Sequence, residues 1–253
     1  MITSQRHKYI LEKVAQKGFV SVSELGEELN VSTVTIRKDL KALEERKLLY
    51  KTHGGASSID PYINDRPVNL KEGIEVEQKE LIAKKAAELV MPNDSIIIAS
   101  GTTVLALAKA LHPDRNLTVL TSAMNVTLAL LQHENIEVVQ LGGIVRKSSS
   151  SVVGHYAESM LQNFACSKLF LGVDGIDLDF GLTTTNLMEA QLNQQMMKIA
   201  QKVVVIADAT KFGKKGFGKI CDLDKVDIII TDKRIPEPFV KKTEELGIQL
   251  FIV

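Results

Sequence analysis

The amino-acid sequence predicts an α/β protein in two parts: a small helical module at the N-terminus, then a larger, open and mostly parallel α/β sheet. Three observations carry this reading. From Gln5 to Ala56 apolar residues recur at helical spacing. Residues 57–76 then lose that periodicity and hold Pro61, Pro67, Asn64 and Asp65 among serines and charges. Beyond Val76 short apolar runs alternate with amphipathic segments, the pattern of a parallel sheet covered by helices. The expected boundaries are 1–57 for the first part, 58–76 for a linker and 77–253 for the second.

Composition narrows the class further. Of the 253 residues 45% are apolar and 25% charged, an ordinary globular balance. The net charge is zero but unevenly spread. Residues 1–58 hold ten Lys or Arg against seven Asp or Glu, a net +3, and the remainder is −3. That polarity suits a nucleic-acid module joined to something else. No apolar run approaches the ~20 residues that span a bilayer, and residues 1–6 lack the apolar block of a signal peptide. The expected location is the cytoplasm, with no membrane partner. Neither Cys166 nor Cys221 has a Cys or His at metal-ligand spacing, so two reduced, packed thiols and no metal site are expected.

In the N-terminal part, Ile10, Leu11 and Val14 make an apolar stripe on a helix that Gly18 ends. Phe19-Val20 reads as a short strand, and Ser21-Val22-Ser23-Glu24 as a capping box opening a helix to about Leu29. Asn30-Val31 makes a turn, and Ser32 caps a second helix through Glu45. Residues 48–52 read as a strand and His53-Gly54-Gly55 as a turn. In the second helix Ile36, Leu40 and Leu43 form one buried face, while Val34, Arg37, Lys38 and Lys41 project from the other. A helix entering the major groove needs this arrangement: an apolar back, cations for phosphates, and short side chains near its N-terminus for base edges. Ser32, Thr33 and Thr35 supply hydroxyls there, and Val34 offers a methyl contact to thymine.

Alone, that helix reads equally well as a basic surface helix beside capping hydroxyls. Its context makes it the second helix of a winged helix-turn-helix, because a hairpin with Lys51 and His53 near its tip follows. The candidate contacts to double-stranded DNA are therefore Ser32, Thr33, Val34, Thr35, Arg37, Lys38, Lys41, Lys51 and His53. Asp39 would repel phosphate, so its expected task is to orient Arg37 or another nearby cation.

The spacing Arg6, Ile10, Val14, then Ser32-Thr33-Val34-Thr35-Ile36-Arg37-Lys38-Asp39-Leu40 and a closing His53-Gly54-Gly55-Ala56 resembles the DeoR family of regulators. The resemblance implies a DNA-binding transcriptional regulator that recognises an operator.

In the second part, strands are expected at 95–99, 117–121, 136–141, 168–174, 203–207, 227–231 and 249–252. Helices are expected at 77–91, 102–111, 123–133, 155–164, 186–200 and 236–246. Open parallel sheets bind ligands beyond the carboxyl ends of their strands, and four polar constellations fall there. Ser100-Gly101-Thr102-Thr103 opens a helix and is either an anion cradle or an ordinary cap. Leu141-Gly142-Gly143-Ile144-Val145-Arg146 makes a tight turn whose arginine is either a phosphate clamp or a surface charge. Gly172-Val173-Asp174-Gly175-Ile176-Asp177 ends a strand, with Asp174 suited to accept hydrogen bonds from sugar hydroxyls. Asp177 and Asp179 read as a solvated turn. Gly181-Leu182-Thr183-Thr184-Thr185 follows, then Glu189, which faces either the cleft or water. In Asp208-Ala209-Thr210-Lys211-Phe212-Gly213 the lysine is placed to meet a phosphate, whereas Lys214, Lys215 and Lys219 read as exposed loop charges.

Together these motifs resemble the DeoR effector domain, itself similar in fold to ribose-5-phosphate isomerase. The resemblance implies that Ser100, Gly101, Thr102, Thr103, Gly142, Gly143, Arg146, Asp174, Gly175, Thr184 and Lys211 line or shape a sugar-phosphate pocket. It also implies a repressor of carbohydrate genes, relieved by a phosphorylated sugar, without a cofactor, and assembled as a homodimer or homotetramer. The chain departs from the family pattern where Ala99 replaces the acidic residue of the first loop, and where Thr121-Ser122 stands for Thr-Asn. The alternative is a sugar-phosphate isomerase-like enzyme carrying a DNA-binding module. Such isomerases hold a lysine in the glycine-rich turn between the two acids, and residues 181–185 contain none. Binding is therefore expected, and no residue is assigned a catalytic role. A second domain that only oligomerises would need no such loops. The linker and the helix at 77–91 are the expected relay between the parts.

Overall fold

The fold is described from a computed structural model for residues 2–46, 48–52, 54–57, 65, 67–113 and 115–253. Helix α1 (Thr3–Lys17) buries Arg6, Ile10 and Val14 along one stripe, and Gly18 at φ 73° ends it by donating its N–H to Val14 O at 2.9 Å. After strand β1 (Phe19–Ser21), Ser21 Oγ accepts the Glu24 N–H at 3.0 Å and starts helix α2 (Val22–Leu29). Asn30 adopts left-handed backbone at φ 51°, and Ser32 Oγ accepts the Thr35 N–H at 3.2 Å to start helix α3 (Thr33–Glu45). Strands β2 (Tyr50–Thr52) and β3 (Gly55–Ser57) form the wing, in an antiparallel sheet ordered β1-β3-β2. Gly55 is required by this closure, because a Cβ there would lie 2.1 Å from Val20 O. Ile10, Val14, Leu25, Ile36, Leu40, Leu43 and Leu49 form the module's own core. This is the expected winged helix-turn-helix.

Inside it lies a buried ion pair. Arg6 Nη2 donates to Asp39 Oδ1 at 3.0 Å and its Nε to Oδ2, while His7 Nε2 lies 3.0 Å from Oδ1. Asp39 thus orients Arg6, from another helix, rather than Arg37. Burial alone would raise the Asp39 carboxyl, but the hydrogen bonds from Arg6 and His7 outweigh it and hold the group below its ordinary value.

The expected linker contains an ordered element. Residues 58–64 and 66 lie outside the described residues, but helix α4 (Val68–Glu72) follows and leads to helix α5 (Val76–Ala87). The sheet domain then alternates strand and helix: β4 (Ser95–Ile98), α6 (Thr102–Ala110), β5 (Leu117–Thr121), α7 (Met124–Leu130) and β6 (Ile136–Gln140). A hairpin of β7 (Ile144–Arg146) and β8 (Ser151–Val153) precedes α8 (His155–Leu161) and β9 (Cys166–Leu171). Strands β10 (Gly175–Asp177) and β11 (Gly181–Thr184), helix α9 (Leu187–Ile199), then β12 (Ala200–Ile206) and β13 (Gly218–Cys221) come next. The last elements are β14 (Ile228–Thr231), α10 (Glu237–Glu245) and β15 (Gln249–Ile252).

Seven strands form one parallel sheet in the order β15-β14-β12-β9-β4-β5-β6. Alternate residues feed opposite layers. Ile97, Leu169, Leu171, Val203, Val205 and Ile229 pack with α8, α9 and α10, whereas Ile96, Ile98, Phe170, Val204, Ile206 and Ile230 pack with α5, α6 and α7. Burial on both faces is why these strands read as unbroken Ile and Val runs. The small antiparallel sheets β7-β8 and β10-β11-β13, where the sequence suggests loops, sit over the strand ends. Burial pushes the Cys221 thiol up to about 12 and moves Cys166 in the same direction. Among the described residues no helix is long and apolar enough to cross a membrane.

Replacing Asp39 with Asn leaves Arg6 buried without its counter-charge, and we expect a loss of about 3 kcal/mol in urea unfolding followed by circular dichroism. The folded Asp39 value is depressed, so its stabilisation is complete above the unfolded value of about 4 and disappears as pH falls through the folded value. Wild-type unfolding free energy should therefore fall more steeply than that of Asp39→Asn on acidification below about pH 4.

Candidate functional site

Two surfaces carry the polar residues singled out above. On α3 the side chains of Ser32, Thr33, Val34, Arg37, Lys38 and Lys41 are exposed, with Ile36, Leu40 and Leu43 buried behind them. Val34 is 58% exposed, an apolar group offered to solvent among cations and hydroxyls. Thr35 is half-buried with its Oγ1 3.0 Å from Ser32 Oγ, so those hydroxyls serve the helix start as well as any partner. Lys51 lies on the wing strand β2, where its N–H donates to Glu44 Oε1 at 2.8 Å. His53 lies outside the described residues.

The second surface is a cavity of about 60 Å³ at the point where the sheet changes direction. From β4 the chain winds outward through β5 and β6, then crosses back to place β9 on the other side of β4. The loops after β4 and β9 diverge there and leave a crevice. Ser100, Gly101, Thr102 and Thr103 line it from the first loop, Asp174 from the second. Strand β9 stops at Leu171, so Asp174 stands in the loop beyond it rather than at its end.

Gly101, at φ 129°, precedes α6, and among the described residues no side chain caps that helix. The amides of its first turn therefore point at the cavity with their share of positive helix dipole. Asp174 Oδ2 accepts the Thr184 hydroxyl at 3.0 Å and the Thr185 N–H at 3.2 Å, and Oδ1 takes Lys71 Nζ at 2.9 Å. Burial would raise this carboxyl, but Lys71 first, then Lys211 and the Thr184 hydroxyl, hold it below the usual carboxylate range. Glu189 is buried in the cavity wall, within 3.4 Å of Arg146 Nη1 and 3.3 Å of Thr184 Oγ1. Asn186 starts α9 by accepting the Glu189 N–H at 3.2 Å, which aims that helix's first turn at the same spot. Lys211 follows Asp208 on a single helical turn that Asp232 holds by accepting the Ala209 N–H at 2.7 Å.

Three predicted residues lie outside this cavity. Gly142 donates its N–H to Met160 Sδ at 3.2 Å, and a Cβ on Gly143 would meet Val153 O at 2.8 Å. A Cβ on Gly175 would meet Lys214 O at 2.4 Å. Gly143 and Gly175 admit neighbouring pieces of the chain, and none of the three glycines lines the cavity. Asp177 is likewise no solvated turn: it is buried, accepts the N–H groups of Asp179 and Phe180, and pairs with Lys215 at 3.4 Å.

The structure also adds residues that the sequence reading missed. Asp65, Val68 and Lys71 reach the cavity from the linker, joined by Ser148, Ser149, Thr185 and Asn193. Helix α4 is held there by Val68 N–H to Ser148 O at 2.6 Å, and by the buried Lys79, whose Nζ donates to Lys71 O at 2.7 Å and Ile74 O at 2.5 Å. Lys71 is thus a cation beside Asp174 that residues 181–185 do not supply. The two modules also touch. The Phe212 ring lies edge-on to Phe239 at 5.1 Å between centroids, and Phe239 to Phe19 of β1 at 6.4 Å.

With this geometry in place, comparison with known proteins is informative. A family model described as a DeoR-like helix-turn-helix domain matches residues 6–62, and one described as a DeoR C terminal sensor domain matches residues 74–233. The chain is 35% identical over 254 residues to the HTH-type transcriptional regulator GolR of Listeria innocua, covering 100% of this chain and 99% of that protein. It is 32% identical over 250 residues to the glycerol-3-phosphate regulon repressor of Escherichia coli, covering 99% of each. Among solved structures, the full-length sorbitol operon regulator SorC from Klebsiella pneumoniae aligns over 94% of this chain and 98% of its own, with TM-score 0.44 and 12% identity. Ribose 5-phosphate isomerase A from Methanocaldococcus jannaschii aligns over 54% of each chain, with TM-score 0.40 and 17% identity.

Removing the Lys71 charge tests the electrostatics of the cavity. In Lys71→Ala the Asp174 carboxyl should titrate at higher pH than in wild type, read from its carboxyl carbon by NMR. In Lys79→Met, two carbonyls lose their buried donor, and the urea midpoint should drop by the equivalent of about 1–3 kcal/mol.

Proposed function

Because this chain belongs to the DeoR family of transcriptional regulators, we propose that it represses carbohydrate genes and leaves its operator when a phosphorylated sugar enters the cavity between the β4 and β9 loops. The observation that carries this reading is the meeting, in one crevice, of the uncapped start of α6, the cations Lys71, Arg146 and Lys211, and the acceptors Asp174 and Glu189. Helix amides and cations recognise a phosphate. Carboxylates and threonine hydroxyls recognise the hydroxyls of a polyol. An inert apolar ligand would leave the first amides of α6 without an acceptor.

Binding without turnover fits the state of the carboxylates. An isomerase base must be free to take a carbon-bound proton and must hold it near neutral pH. Asp174 instead carries an ion pair and two hydrogen bonds, and its affinity for protons is depressed. Such a group accepts hydrogen bonds well and protons poorly.

On the DNA side, α3 presents Thr33, Val34 and Arg37 to base edges, with Lys38 and Lys41 toward phosphates. Two or more such helices in a homodimer or homotetramer would read a repeated operator in the cytoplasm. Ligand and operator oppose each other through one conformational equilibrium. Two physical routes connect the sites. One is the linker, which reaches the cavity through Asp65 and Lys71. The other starts at Lys211, whose neighbour Phe212 packs through Phe239 onto Phe19 of the DNA-binding module.

A thermal-shift screen with phosphorylated and free sugars, followed by gel-shift on the adjoining promoter, tests this. Stabilisation by at least one phosphorylated sugar and release of the fragment are expected; stabilisation by none removes the proposal. Arg37→Ala should weaken operator binding about tenfold or more while keeping ligand stabilisation. Lys211→Ala and Arg146→Ala should bind the operator normally and lose the response to the sugar, measured in the same gel-shift assay.

A further inference from the structure

In the cavity, Arg146 already has a carboxylate from the linker seated on it. Asp65 Oδ2 pairs with Arg146 Nη2, and Asp65 Oδ1 accepts the Thr185 hydroxyl at 3.1 Å. Arg146 is largely buried, at 13% side-chain exposure, and its other terminal nitrogen faces Glu189 at 3.4 Å. We propose that Arg146 and Thr185 form an anion subsite, and that Asp65 is its resident occupant until an anionic ligand displaces it. This rests on the reading of the cavity as a phosphate-binding pocket and adds what fills it beforehand.

Charge supports displacement. The cavity measures about 60 Å³. The residues that narrow it from the linker side are Asp65, Val68 and Lys71. The acidic side chains lining it are Asp65, Asp174 and Glu189, against the basic Lys71, Arg146 and Lys211, a balanced set. Adding a phosphate to that set leaves uncompensated negative charge in a partly buried crevice. Exchanging it for Asp65 brings the charge back toward balance and frees the guanidinium for a two-pronged contact. Asp65 is also the more exposed partner of its pair, at 39% against 13%, so it is the member free to leave.

The test uses inorganic phosphate as the probe, titrated calorimetrically into the full-length protein at low ionic strength. Asp65→Asn keeps the shape and removes the competing charge, so phosphate should bind about fivefold more tightly than in wild type, the scale of a partly exposed ion pair. Asp65→Glu keeps the charge and should bind as wild type does, which separates competition from a change in shape. Once Arg146→Ala is in place, adding Asp65→Asn should make no further difference to phosphate binding. Equal phosphate affinity in wild type and Asp65→Asn, or no phosphate binding by either, overturns the proposal. A protein that is stabilised by phosphorylated sugars yet shows equal phosphate affinities would retain the pocket and lose only the competing role of Asp65.

Discussion

The ion pair between Lys71 and Asp174, 2.9 Å long, makes the linker part of the sheet domain. A pair of this partial exposure contributes little by itself when its members must first be ordered. Here both are ordered by other means. Asp174 is fixed by Thr184 and the Thr185 amide, and α4 is fixed by Lys79 and Ser148. With the entropy already lost, the electrostatic attraction is kept. Lys79 achieves this at a cost, since burial lowers its affinity for a proton, and only carbonyl oxygens, with more distant carboxylates, answer its charge among the described residues. A lysine suits that place because the last carbonyls of a short helix need a donor that can reach them.

The position of the cavity follows from topology. A parallel sheet that grew in one direction would bring each new loop beside the last and leave no gap. Crossing back from β6 to β9 puts the loops after β4 and β9 on diverging paths. Gly101 turns the first loop into α6 without a side-chain cap, and Gly172 lets the second pass close to Ser100 O, 3.1 Å from where a Cβ would stand. The antiparallel strands β10 and β11 then fold back over the opening and bring Thr184 and Thr185 to Asp174. The chemistry is held by loops whose ends are fixed in a sheet buried on both faces.

How much of this was legible in the sequence depended on how local each cause was. All seven strands of the large sheet could be placed because double-sided burial leaves runs such as Ile96-Ile97-Ile98 and Val203-Val204-Val205. The capping hydroxyls of Ser21 and Ser32 act within three residues and were equally plain. Strands of three or four residues rich in Gly and Thr, such as β10 and β11, have no periodicity to read, and α4 is a five-residue helix in a polar stretch. Glycines are ambiguous for a definite reason. At Gly143 and Gly175 a side chain is excluded by backbone oxygens of the same chain, and the sequence does not distinguish that from a ligand's approach. Asp39 paired with Arg6 across 33 positions instead of its neighbour Arg37, because Arg37 faces outward on the helix and Arg6 faces the core. Asp65 and Lys71 were invisible for the same reason: their partners, Arg146 and Asp174, are far along the chain.

A cavity balanced in charge discriminates differently from a simply basic one. A basic crevice would attract any anion from solution and would stay occupied. With Asp65 seated on Arg146 and Lys71 on Asp174, two of the three cations lining it are answered from within. A neutral sugar offers no charge with which to replace a carboxylate, so it leaves Asp65 on Arg146. Inorganic phosphate can make the exchange, but it brings no run of hydroxyls to Asp174, Glu189 and Thr184. Only a molecule carrying both an anion and such a run meets both requirements at once. The selectivity proposed for phosphorylated polyols would then arise from what the ligand must displace as much as from what it touches.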